Sequence, residues 1–113
     1  MRLVFVLGSL FDEVTHCSYN MNMKFTWDEE KRQINIEKHG IDFAEVPPMF
    51  DGSVFTIEDL RFDYGETRYI TFGLLQYRVI VVAHTEDDEM IRIISARKAT
   101  KNEEKRYFEE VGD

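Results

Sequence analysis

The segment Arg92-Ile93-Ile94-Ser95-Ala96-Arg97-Lys98-Ala99-Thr100 places three cations on an otherwise apolar strand, in a chain whose formal net charge is −8. Long charged side chains on a sheet surface cost rotamer entropy and desolvation unless something uses them. A polyanion such as RNA is the obvious user. Cleaving RNA through its 2′-hydroxyl requires a base near that oxygen, a cation at the phosphate and an acid at the leaving oxygen. Tyr64-Gly65-Glu66-Thr67-Arg68 offers a phenol, a carboxylate and a guanidinium in one short stretch. Glu66 or His39 can serve as base, Arg68 or Arg92 as phosphate clamp, and Tyr64 or His39 as acid. A plain Glu–Arg cross-strand pair accounts for Glu66 and Arg68 equally well.

These groups need elements to hold them. Asp28 reads as the N-cap of a helix that carries Glu29 and Glu30 in its first turn and runs to His39, where Gly40 stops it. Lys31, Asn35, Lys38 and His39 then share one helical face, a candidate RNA surface that competes with an ordinary solvated one. Asp42 to Asp51 reads as a second short helix interrupted by Pro47 and Pro48. Strands are predicted at Val54–Glu58, Glu66–Leu75, Tyr77–Thr85 and Met90–Lys98, with an acidic turn at Glu86-Asp87-Asp88-Glu89. Thr100 and Glu103 form a capping box for a last helix ending near Glu110. The expected fold is α+β: an antiparallel meander in a two-layer sandwich, with N-terminal helices and a C-terminal helix on one face. Strict alternation along Met90–Lys98 puts Arg92 and Arg97 on opposite faces unless a bulge intervenes, and regularity is expected to fail near Arg97 and Lys98.

Composition narrows the class. The 113 residues make one domain, and 43% hydrophobic content with nine Phe supports a folded interior. Net acidity excludes coating of nucleic acid by bulk charge but leaves room for a small cationic pocket. The lone Cys17 forms no internal disulfide, and no Cys/His spacing resembles a zinc site, so a reducing cytoplasm is expected. The acidic turn lacks the glycine punctuation of a calcium loop and reads as solvated. Neither a metal nor a cofactor is predicted. His84 is expected to be a hydrogen-bonded sheet residue and Trp27 a core residue, while Tyr69 is the candidate exposed aromatic. Residues 1–22 differ from the rest: their apolar run is too short to span a membrane and lacks a signal-peptide cleavage site, and they read as an extension, either from an upstream start or as an added β-strand or partner-binding arm, ahead of a domain at 23–113.

Taken together, Phe25-Thr26-Trp27-Asp28, Lys31, Asn35, Lys38-His39-Gly40, Phe43, Phe50-Asp51, Tyr64-Gly65-Glu66 with Arg68, and Arg92-Ile93-Ile94-Ser95-Ala96-Arg97-Lys98-Ala99 resemble the BrnT toxin family from about Met23 to Tyr107. The resemblance implies a bacterial type II toxin with a RelE-like ribonuclease fold that cleaves RNA, free or as ribosome-bound mRNA, without a metal and halts translation. It implies a cognate BrnA-type antitoxin as partner, two toxins assembling with two antitoxins, and contact with DNA only through the antitoxin. No membrane partner is expected. The catalytic candidates are His39, Glu66, Arg68, Arg92 and Arg97, and the RNA-binding candidates are Lys31, Asn35, Lys38, Tyr64, Ser95 and Lys98. Three features depart from the family pattern: the Pro47-Pro48 pair, the acidic turn where a Glu-Arg-Gly-like sequence is frequent, and residues 1–22. The acidic turn supports an alternative, a non-catalytic module that keeps only the antitoxin-binding surface.

Overall fold

The computed structural model describes residues 2–5 and 14–17 as backbone strands and residues 23–112 with their side chains. Much of the predicted N-terminal extension therefore lies outside the described residues. Strands β1 (Arg2–Phe5), β2 (Val14–Cys17) and β3 (Lys24–Trp27) precede helix α1 (Glu29–His39). Two 3-10 turns, Phe43–Glu45 and Pro47–Asp51, lead into β4 (Val54–Glu58), β5 (Tyr69–Leu75), β6 (Arg78–Glu86), β7 (Met90–Lys98) and helix α2 (Lys101–Val111).

The sheet order is β2-β1-β4-β5-β6-β7-β3. Strands β4 to β7 form the expected antiparallel meander, but β3 lies parallel on β7 and β1 parallel on β4, so the sheet is mixed. The two-layer expectation needs correcting. Ile80, Val82, Ile91, Ile93 and Ala96 join a cluster under the 3-10 turns, with Ile41, Phe43, Val46, Met49 and Phe50. The alternate residues Val79 and Val81 join Phe55, Ile57, Phe72 and Tyr107 of α2 on the opposite face. Helical structure thus covers both faces, because β5 and β6 are apolar on both sides and each side must be buried.

Both helices begin and end as their sequences dictate. The Asp28 carboxylate accepts from the Lys31 amide at 3.0 Å, and Gly40, at φ 70°, closes α1 in the left-handed region. Thr100 and Glu103 form the capping box of α2. The prolines cut the predicted second helix to short 3-10 turns, as a ring that blocks the helical hydrogen-bond ladder requires. Strand β5 starts at Tyr69 rather than Glu66, which leaves Glu66 and Arg68 on a loop.

A buried polar ladder crosses the sheet. The Thr56 and Thr71 hydroxyls are 2.8 Å apart, and Thr71 Oγ1 lies 2.6 Å from His84 Nε2. His84 Nδ1 faces the Thr85 carbonyl, which can only accept, so Nε2 accepts from Thr71. His84 is a sheet residue, as expected. Tyr69 stacks on it with ring centroids 5.9 Å apart and is partly buried rather than open, and Phe50 packs roughly perpendicular to the same imidazole at 5.4 Å.

Candidate functional site

The decisive local feature is a bulge in β7. Ala83 pairs with Ser95 and His84 with Ile93, so Ile94 is an extra residue in the ladder. Ile91, Ile93 and Ala96 consequently share one core cluster, and Arg92 and Arg97 share the opposite face. Regularity fails at Ile94, earlier than the sequence suggests, and the strand continues through Lys98.

On that face the loop 59–68 meets β7. Arg92 donates to both oxygens of Glu66, at 2.7 and 2.8 Å, and Arg68 Nε donates to Oε2 at 3.0 Å. The three side chains keep 25–40% of their surface exposed. Arg68 and then Arg92 hold the Glu66 carboxyl below its ordinary range, so it is ionised at neutral pH. The Arg68 guanidinium lies 4.1 Å from the Tyr64 ring centroid. Tyr64 donates its hydroxyl to Asp59 at 2.8 Å, and its pKa is raised, first by desolvation and then by that carboxylate.

Asp59 organises the loop. Its side chain is 4% exposed and accepts from Arg61 Nε and from a terminal Arg61 nitrogen, both at 2.9 Å. Its amide donates to the Arg68 carbonyl at 2.8 Å, closing the loop at its base. Gly65, at φ 73°, follows an Asp63 side chain that accepts from the Gly65 amide, a turn that leaves Glu66 facing β7. The sequence reading missed Asp59 and Arg61. Their i, i+2 acid–base spacing was the available signal, though it is common in polar loops.

The α1 candidates fall elsewhere. Lys31, Lys38 and His39 are exposed and line a shallow depression with Ile34, Asn35 and the bulge residues Ile94 and Ser95. Among the described residues no hydrogen bond or ion pair joins them to Glu66 or Arg92. Asn35 is 5% exposed: its amide donates to the Ile41 and Ala96 carbonyls, both at 2.9 Å, and its oxygen accepts from the Ala96 amide at 3.2 Å. Strand β3 pairs with β7 only as far as Ile93, so Asn35 takes over the edge of β7 just beyond the bulge. Buried edge groups left unpaired would be costly, which gives Asn35 a structural task.

Arg97 donates to both oxygens of Glu103, at 2.8 and 2.9 Å, where β7 gives way to α2. The same carboxylate accepts from the Thr100 amide at 2.8 Å, and together these donors, Arg97 foremost, lower its pKa to about 2. Lys98 is exposed at the strand end. Among the described residues, no three or more His, Cys, Asp or Glu side chains are grouped to hold a metal ion. No helix among them is long and apolar enough to cross a membrane.

The site therefore resolves into a carboxylate clasped by two arginines on the sheet face, a phenol beside them, and a separate basic depression at the sheet edge. Paired arginines of this kind can take a carboxylate or a phosphate group in bidentate geometry. A comparison with curated proteins returned no match. Residues 27–103, which include both regions, match the family described as "Ribonuclease toxin, BrnT, of type II toxin-antitoxin system", and the chain belongs to that family.

Proposed function

We propose that the Glu66–Arg68–Arg92 cluster is the catalytic centre of a metal-independent endoribonuclease. The observation that carries this reading is the Glu66 carboxylate, bound at once by an arginine of the loop and an arginine of β7 on a partly exposed face. An RNA phosphate offers the same two guanidinium groups a second anion of matching bidentate geometry. As Arg92 and Arg68 turn to the phosphate, Glu66 loses the charges that depress its pKa and becomes a better base.

Glu66 then accepts the 2′-hydroxyl proton as the 2′-oxygen attacks phosphorus. The bond to the 5′-oxygen breaks, and Tyr64 protonates that leaving oxygen. Arg68, stacked on the Tyr64 ring, stabilises the phenolate that results. The products are a 2′,3′-cyclic phosphate and a 5′-hydroxyl end. Arg92 and Arg68 supply the positive charge that a metal would otherwise provide. The fold is RelE-like in this reading, and Lys31, Lys38 and His39 guide the RNA strand toward the face.

Cleavage of mRNA halts translation. A BrnA-type antitoxin, paired two-to-two with the toxin, neutralises it and provides the DNA contact. The test is incubation of the full chain, freed of antitoxin, with RNA in excess chelator. Cyclic-phosphate ends on ribose substrates and no cleavage of a 2′-deoxy substitute are expected. Intact RNA would leave the non-catalytic, antitoxin-binding reading.

A further inference from the structure

We propose that the cavity between α2 and the sheet is a nucleobase subsite that selects an acceptor-rich base edge, guanine above all; this rests on the RNA-cleaving reading and deepens it to a sequence preference. The cavity has a volume of about 280 Å³. Drug-sized ligands occupy pockets of roughly 300–1,000 Å³, so this one fits a single ring system. Its floor is Ile57, Ile70 and Phe72, an apolar surface suited to a base face. Its polar lining is Arg61, Arg97 and Arg106 with Asn102 and Glu103, the carboxylate of Glu103 being taken up by Arg97.

The three guanidinium groups differ in how they are held. Arg97 spends two terminal nitrogens on Glu103, and Arg61 spends Nε and one terminal nitrogen on Asp59. Arg106 rests 5.0 Å from the Phe55 ring centroid and, among the described residues, has no carboxylate partner. Its fork is thus the freest donor of the three guanidinium groups that line the cavity. A guanidinium only donates, so it favours a base edge with two adjacent acceptors. Guanine presents O6 and N7 together on a two-ring face that covers the apolar lining; cytosine pairs O2 with N3 on one ring only, adenine places an amino donor beside N7, and uracil has no two adjacent acceptors. Arg61 links this lining to the catalytic cluster, since it shares Asp59 with Tyr64.

The experiment uses the full chain, freed of antitoxin, and short 2′-O-methyl uridine oligomers carrying one guanine, adenine or cytosine. The guanine oligomer should bind about ten-fold tighter than the others. Arg106→Ala and the charge-preserving Arg106→Lys should both erase that preference, with the all-uridine oligomer changing much less under Arg106→Lys. Equal binding of all oligomers, or a preference unchanged in both variants, overturns the subsite. An unchanged preference with weakened antitoxin capture in Arg106→Ala would mark the cavity as a protein contact and overturns it too. Cleavage without base preference would sink the subsite and leave the ribonuclease standing. Guanine-selective binding without cleavage of any RNA would do the reverse.

Discussion

Glu66 and Arg92, 26 residues apart in sequence, meet through both carboxylate oxygens at 2.7 and 2.8 Å. The loop 59–68 delivers one partner and the bulged strand β7 the other. Neither element forms the pair alone, so the contact reports the tertiary fold and the candidate chemistry together.

Removing the cation should show in both rate and salt dependence. Arg92→Ala is expected to lower kcat/KM by about 10²–10³, the size of losing one charge-stabilising donor. Binding of non-cleavable RNA should also lose about 0.7 from its log–log salt slope, one phosphate contact on a single strand. Affinity measured from low to high salt, with a melting curve as folding control, checks it. An unchanged slope would place Arg92 off the phosphate.

The pH profile separates the competing acids and bases. Glu66 titrates below its ordinary 4.5 and Tyr64 above its ordinary 10.0. The profile of kcat/KM reports the free enzyme, so it should stay flat from about pH 5 to about pH 9. A limb near pH 6.5, the ordinary value for histidine, would move a proton-transfer role to His39. Tyr64→Phe should lower kcat with little change in fold.

Much of this architecture was legible in the chain. Asp28 with Gly40, and Thr100 with Glu103, mark helix ends through local hydrogen bonds, and local chemistry can be read residue by residue. The limits of β4 and β7 also follow from their apolar runs. The bulge at Ile94 did not, because it depends on how His84 and Ala83 pair across the sheet. Asn35 looked like part of a polar helix face, and only the uncovered edge of β7 explains its burial. The role of Asp59 was hidden for the same reason: its partners are set by loop closure.

Asn35→Ala should therefore damage stability before chemistry. It strips Ala96 and Ile41 of buried partners, each worth about 1–3 kcal/mol when left unsatisfied. A total loss of roughly 2–4 kcal/mol is expected in denaturant unfolding. A change within about 0.5 kcal/mol, typical of a surface site, would return Asn35 to the RNA-binding set.

Acid should loosen the α1 and α2 junctions. The Arg32 guanidinium, then the Ala44 amide, hold Asp42 at about 2, and Glu103 is held at about 2 by Arg97 and Thr100. Both pKa values are depressed, so their contribution is present above the ordinary carboxylate range and is lost as pH falls toward 2. Glu103→Gln should lower the melting temperature at pH 7 and narrow its gap to wild type on acidification. A constant gap from pH 7 to pH 2 would contradict this.

The most direct test of the central claim is Glu66→Gln, read twice. In the proposed mechanism Glu66 is the base and also the anion that occupies Arg68 and Arg92 before RNA arrives. The variant should cut about 10²–10⁴-fold more slowly. It should also bind a 2′-O-methyl RNA about two- to fivefold more tightly, the scale of a partly exposed ion pair. Wild-type cleavage, or weaker binding in a folded variant, would contradict the account.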